Sequence, residues 1–363
     1  MRVGNRYSLG LRPALNQFMV DQRQLSRCTM RCRVFAAATL AAITVTAIAQ
    51  MPDKPLARPR ITGISHIAVY TTNPDATDRF YREVIGAVKL PDPENPKGVR
   101  YALSATQFIE VLPLPPDAGI NRLDHIAWNT DDAETLRRYL GSKAWKVPGQ
   151  VEKGDDGSLW FDVKDPEGNK VQFVQLFPAT AQLTAPRDPN QPVVKVPSSE
   201  MVERILPPPG FGAIGRHIIH VGTLIHSRAV ENTLYRDLLG FRPYWFGGMV
   251  EGRIDWISQQ APDGHDWLEY MLTGDSSGSG ISQQQLGVLD HLSIGVVSVD
   301  EAYKVLESGN RLTGRHDDHP HIGRDGKGQF NLYDPDGTRI ELMDFHASQK
   351  PCCSPFTADD PEE

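Results

Sequence analysis

His66-Ile67-Ala68-Val69, His125-Ile126-Ala127-Trp128, His220-Val221-Gly222-Thr223 and His291-Leu292-Ser293-Ile294 are four forms of one phrase: a histidine set in an apolar, strand-like run. A polar helix-start signal follows each. Four copies of one unit describe an internally repeated protein. A histidine at the same place in every copy points to metal binding, because neutral imidazole is the commonest metal ligand.

The flanking residues give the units their outline. In the first, a strand from Ile64 to Tyr70 runs into Asn73-Pro74, a helix N-cap followed by proline. Ala76, Phe80 and Val84 then form an amphipathic stripe, Gly86 stops the helix, and Phe108 to Leu112 reads as a strand. In the second, Asp131 and Glu134 make a capping-box-like pair before Leu136 and Leu140. In the third, Ser227 caps a helix bearing Val230, Leu234 and Leu238 that ends at Gly240, and in the fourth Ser298 and Glu301 precede Val305 and Leu306. Asp165-Pro166-Glu167-Gly168 and Asp334-Pro335-Asp336-Gly337 read as tight turns between late strands.

Each unit is thus a strand, a helix and several more strands, an α+β arrangement. One unit alone exposes an apolar sheet face, so pairing is required. Pro186, Pro189, Pro192, Pro197 and Pro207-Pro208-Pro209-Gly210 mark a semi-rigid linker over 179–213. This gives an N-terminal domain over 62–178, a C-terminal domain over 214–346 and a polar tail over 347–363.

The 363 residues are 40% apolar and 23% charged, as expected of globular domains, and carry a net charge of -7. That charge argues against nucleic acid as a partner. Arg31 and Arg33 precede an apolar run from Val34 to Ala49 that ends in Ala47-Ile48-Ala49. Residues 1–49 therefore read as a secretory signal peptide, with Met30 an alternative start. The expected location is secreted or periplasmic; an uncleaved segment would instead anchor the chain to a membrane. Cys28 and Cys32 fall in the leader, Cys352 and Cys353 are adjacent in the tail, and no C-x-x-C occurs, so thiolate zinc chemistry is not indicated.

In the C-terminal domain His220 and His291 lie on opening strands, and Glu269 and Glu341 on late ones. A carboxylate inside such a strand loses hydration unless it is paired, protonated or metal-bound. Period-two alternation lets all four face one interior. Two imidazoles and two carboxylates suit a divalent Zn, Mn, Fe, Ni or Co ion. The N-terminal domain offers His66, Glu110 and His125, but Gln172 stands where the turn alignment puts Glu341 in the other domain. Glutamine is a weak ligand and no general base, so this second site is either weaker or a retired copy. His316, His319 and His321 share a polar loop and read as solvated.

The opening strands, the "FYREVIGA" and "LYRDLLGF" helices and the "DPEGNKVQF" and "DPDGTRIEL" hairpins together resemble the vicinal oxygen chelate superfamily, which includes glyoxalases, bleomycin resistance proteins and extradiol dioxygenases. The resemblance covers 62–178 and 214–346 and implies four βαβββ modules paired into two barrel-like cups. It implies a metal that chelates adjacent substrate oxygens as a Lewis acid. It also matches His220, Glu269, His291 and Glu341 to the glyoxalase-like ligand set, with Glu341 as the catalytic base and Glu269 assisting.

Three functions follow from the resemblance. The first is an exported metal-dependent lyase or isomerase that stabilises an enediolate-type intermediate on a small substrate with adjacent oxygens. The second is an extradiol ring-cleaving dioxygenase using His220, His291 and Glu341; the spacing of Tyr333 from His321 departs from that pattern. The third is a non-catalytic ligand-binding or resistance protein. Fused modules leave both a monomer and a homodimer open.

Overall fold

The strand bearing His66 is buried at nine of its eleven residues, on both faces, as a strand in the middle of a sheet must be. The structure, a computed structural model, describes residues 56–176, 212–272 and 287–362. The leader with Met30, Cys28 and Cys32, and the linker up to residue 211, lie outside the described residues.

The N-terminal half runs β1 (Ile61–Thr71), α1 (Pro74–Arg79), β2 (Val88–Pro91), β3 (Val99–Ala102), β4 (Phe108–Pro113), β5 (Leu123–Thr130), α2 (Ala133–Ser142), β6 (Glu152–Lys153), β7 (Leu159–Lys164) and β8 (Lys170–Gln175). The C-terminal half repeats it as β9 (His217–Ile225), α3 (Arg228–Tyr235), β10 (Arg242–Gly247), β11 (Trp256–Gln260), β12 (Trp267–Leu272), β13 (Leu289–Val296), α4 (Val299–Ser308), β14 (His321–Ile322), β15 (Gly328–Tyr333) and β16 (Arg339–Asp344). Each half is one eight-stranded sheet, ordered β2-β3-β4-β1-β5-β8-β7-β6 and β10-β11-β12-β9-β13-β16-β15-β14. This is the expected α+β architecture of paired βαβββ modules. The two opening strands of each half pair antiparallel at the centre, and each pairs parallel with a late strand of its own module. Among the described residues no helix is long and apolar enough to cross a membrane.

Local chemistry explains the helices. Asn73 accepts from Ala76 N with Pro74 at the first position, Ser227 from Val230 N, and Ser298 from Glu301 N. In α2 the cap is Asp132, one residue past the expected Asp131, and it accepts from Thr135 N. The expected stripe on α1 also shifts. After Arg79 the backbone widens to a π-turn over Phe80–Val84, with Ile85 N donating to Phe80 O, so Thr77 and Tyr81 join Phe80 and Val84 inside and Ala76 stays half-buried. The third unit does the same: Leu239 N donates to Leu234 O, which buries Leu239 in place of Leu238 and leaves Val230 44% exposed. Both proline-glycine turns form as read, with Gly168 and Gly337 at φ 94° and 86°.

Those turns clasp the halves together reciprocally. Glu167 Oε1, from the N-terminal turn, accepts from His226 N and Ser227 N at 2.7 and 2.9 Å, at the start of α3. Asp336, from the C-terminal turn, accepts from Thr71 Oγ1 at 2.7 Å and from Thr72 N, just ahead of α1. A second reciprocal pair joins the central strands. Asp266 accepts from Ile64 N at 2.8 Å, and Gln107 Oε1 accepts from Ile218 N at 2.7 Å. Ile64 and Ile218 stand two residues before His66 and His220.

Two outcomes follow. Glu167→Ala removes an acceptor from two helix-start amides, so unfolding free energy should fall by about 1–2 kcal/mol in urea titrations; an unchanged midpoint would mean that the clasp contributes nothing. Glu231, 1% exposed in α3, accepts from Glu167 N at 3.1 Å. Burial, then the Asp165 and Glu167 carboxylates, push it up to about 9. A raised carboxyl binds its proton more tightly when folded. Its stabilising contribution is therefore complete below the ordinary value of 4.5 and lost as pH rises towards about 9. Glu231→Gln should gain on the parent in denaturation midpoint from about pH 5 to about pH 9; a pH-independent difference would contradict this.

Candidate metal centres

The four central strands of each sheet bring the predicted residues to one place. In sheet order, β4, β1, β5 and β8 carry Glu110, His66, His125 and Gln172; β12, β9, β13 and β16 carry Glu269, His220, His291 and Glu341. Small residues hold the register between them. Gly222 stands opposite both Glu269 and His291, and Ala68 opposite both Glu110 and His125.

In the C-terminal cup, His220 Nε2 and His291 Nε2 are 2.8 Å apart. Glu341 Oε2 lies 3.3 Å from the first and 3.8 Å from the second, and Glu269 Oε2 lies 3.4 Å from His291 Nε2. Donor atoms ~2.1 Å from a shared cation stand roughly 3–3.5 Å apart, which is close to this arrangement. Two facing imidazole nitrogens can share only one proton, and Glu341 Oε2 is buried without a well-formed hydrogen bond. The donor set therefore fits a divalent metal. His220, His291 and Glu341 form the tight cluster, with Glu269 at its margin.

The two carboxyls differ in character. Burial, then the Glu341, Asp325 and Asp290 carboxylates, push Glu269 well above the usual range. Burial also acts against ionised Glu341, but His220, then His291 and Arg339, outweigh it and hold Glu341 down to about 2. Burial lowers His220 to about 4, so its imidazole is neutral, as a metal ligand must be.

The N-terminal cup repeats the design. His66 Nε2 and His125 Nε2 are 2.9 Å apart, and Glu110 Oε2 lies 3.6 and 3.7 Å from them. Glu110 Oε2 and Gln172 Oε1 are both buried without hydrogen-bond partners. The Gln172 amide nitrogen donates to Glu94 Oε2 at 3.2 Å, which leaves the oxygen as the free end. Glu94 also accepts from Arg100 at 3.0 Å, and burial raises it to about 7. Burial, then Asp92 and Glu94, raise Glu110 to about 10; a bound cation would reverse that direction.

Sequence reasoning missed the shell behind the ligands. His291 Nδ1 lies 2.8 Å from Asp290, which also pairs with Arg339. His125 Nδ1 lies 2.6 Å from Asp124, which also pairs with Lys170 and Tyr70. Such carboxylate–imidazole pairs fix the tautomer and orientation of a metal-binding histidine. The signal was present in the repeated Leu123-Asp124-His125 and Leu289-Asp290-His291. His316, His319 and His321 join neither cluster.

The sequence matches the family described as the Glyoxalase/Bleomycin resistance protein/Dioxygenase superfamily over residues 63–173 and 233–342. No curated protein is matched. Among solved structures, the chain is similar to the Mn(II)-bound glyoxalase of Novosphingobium aromaticivorans, at TM-score 0.57 and 16% identity over 79% of this chain and 83% of that one. It is similar to a point mutant of homoprotocatechuate 2,3-dioxygenase from Brevibacterium fuscum, at 0.56 and 15% over 85% and 76%. The 2,3-dioxygenase LapB of Pseudomonas sp. KL28 gives 0.54 and 16% over 82% and 98%. At these identities the likeness is one of fold.

A Cβ built on Gly222 would stand 2.3 Å from His291 Cε1. Gly222→Ala must therefore displace the ring, and divalent-metal affinity measured by equilibrium dialysis should fall by about 10-fold or more. Parent-like affinity would show that His291 is not a ligand in this orientation.

Proposed function

From the premise that the chain belongs to the glyoxalase/bleomycin resistance protein/dioxygenase superfamily, we propose that His220, Glu269, His291 and Glu341 form the reaction centre of an exported, metal-dependent lyase or isomerase. Its substrate is a small molecule with adjacent oxygens. The observation that carries this reading is the pair of unlike carboxyls beside one imidazole, Glu269 at 3.4 Å and Glu341 at 3.8 Å from His291 Nε2. Pairs of acids whose environments drive them apart assign acid and base roles.

A divalent ion bound here supplies Lewis-acid polarisation of the substrate oxygens. The chain's own groups do the rest. His220 and His291 would hold the ion. Glu341, ionised, takes the proton from the carbon next to a carbonyl at its carboxylate. Glu269, at the margin of the cluster, assists that transfer. The strands exclude bulk water, as the 5% exposure of Glu341 and 2% of His291 indicate. The N-terminal triad of His66, Glu110 and His125 could hold a second divalent ion, and Gln172, in the place of Glu341, supplies no carboxylate there to take a proton.

A ring-cleaving dioxygenase is the second reading, and the observation in its favour is the tight His220–His291–Glu341 cluster. Two imidazoles and one carboxylate with open positions suit Fe(II) and oxygen. The two readings separate on Glu341→Gln and oxygen uptake. In the lyase or isomerase reading, metal-loaded protein exchanges a substrate α-proton with solvent deuterium, and Glu341→Gln lowers that rate by about 100-fold or more. Oxygen uptake with catechols, or exchange unchanged in Glu341→Gln, would overturn it.

A further inference from the structure

His220 differs from the other three clustered histidines. His66, His125 and His291 each have a hydrogen-bond partner at Nδ1, in Ser65, Asp124 and Asp290. His220 Nδ1 is buried and has none. The side of this ring away from the cluster is therefore fixed by no hydrogen bond. What touches its face is Trp267, stacked at 4.5 Å between centroids with 18° between planes.

Trp267 is held in turn by a group that the repeats do not mark. Lys327, 0% exposed, places its ammonium 5.4 Å from the Trp267 ring centroid. An ammonium has three protons to donate, and here the acceptors are Phe345 O at 2.5 Å, Tyr244 Oη at 3.2 Å and Asp360 Oδ1 at 2.7 Å. Asp360 also bonds the Tyr244 hydroxyl, and the Tyr244 ring lies 5.1 Å from Trp267. The tail that carries Asp360 is pinned to the C-terminal sheet by Thr357 N to Tyr244 O and by Trp245 Nε1 to Cys352 O. The N-terminal cup has a simpler equivalent: Phe108 stacks on His66 at 4.3 Å, with the Arg100 guanidinium 4.1 Å from the Phe108 centroid.

We propose that Trp267, Lys327 and Asp360 are positioning residues of the C-terminal metal centre. The tail carboxylate fixes a buried lysine, the lysine fixes the indole, and the indole sets the plane of His220. The segment that carries Asp360 is then coupled to the metal centre although it supplies no donor to the cluster. The desolvation cost of the buried lysine is offset by its pairing with Asp360 and its bonds to Phe345 O and Tyr244 Oη. This inference rests on the metal reading of the quartet.

The test uses Co(II), whose visible absorption reports ligand geometry, in a full-length parent whose N-terminal triad is disabled by His125→Ala. Asp360→Asn and Lys327→Met should each raise the Co(II) dissociation constant about 10- to 100-fold and shift the visible bands. Trp267→Leu should do the same. Trp267→Phe should restore the parent spectrum, since phenylalanine serves in the other cup. Denaturation midpoints are recorded alongside. Asp360→Asn and Lys327→Met proteins that lose stability but keep the parent spectrum and affinity would overturn the proposal, leaving a tail anchor only. Asp360→Asn decides alone if Lys327→Met does not fold. A parent that takes up no cobalt would overturn the metal reading itself, and this inference with it.

Discussion

Two imidazole nitrogens held 2.8 Å apart inside a sheet, away from water, are the constraint around which the C-terminal domain is organised. Only one proton fits between them, and a carboxylate stands beside them with a buried oxygen in no well-formed hydrogen bond. Left to itself this arrangement is costly, because buried polar atoms without partners forfeit hydration. A cation removes the conflict at a stroke. The surrounding structure then reads as means of holding the donors in place: central strands that cannot fray, a glycine where a methyl group would strike His291, Asp290 behind one ring and Trp267 beneath the other.

The two halves show what duplication kept and what it changed. Both keep the facing histidines, the glutamate, the Asp–His pair and a cation on that aspartate, Lys170 in one and Arg339 in the other. What changed is the fourth donor: Gln172 for Glu341, with Glu94 reaching from the loop after β2 to bond the amide. That substitution removes one negative charge at the fourth position and the ionised carboxylate that a proton transfer needs. The halves are tied by reciprocal contacts at their turns and at the strands bearing His66 and His220, so each cup's first histidine lies close to a bond made by the other half.

The fold was legible because repetition multiplies weak signals. One histidine in a β-strand says little, but four, each followed by helix-start chemistry and two of them by a matching turn, specify modules. The placement of the eight candidate residues on the central strands was legible for the same reason. What escaped notice is what repetition does not mark. Gln107 and Asp266 occupy equivalent places with different chemistry, and their partners lie in the other half. Lys327, Tyr244 and Asp360 meet only in the folded chain, and nothing in the tail's polar composition announces that Asp360 reaches a buried ammonium. The Asp131-for-Asp132 cap and the shifted stripes of α1 and α3 are local errors of one residue. They arose where the chain leaves ideal helix geometry for a π-turn, or where two adjacent aspartates compete for one cap.

The most direct test of the central claim is anomalous X-ray scattering at the manganese edge from crystals of the full chain grown with Mn(II). The account predicts a peak bounded by His220 Nε2, His291 Nε2 and the Oε atoms of Glu269 and Glu341. Crystals in which those four side chains surround no anomalous scatterer, while the ion is ordered elsewhere in the molecule, would contradict it.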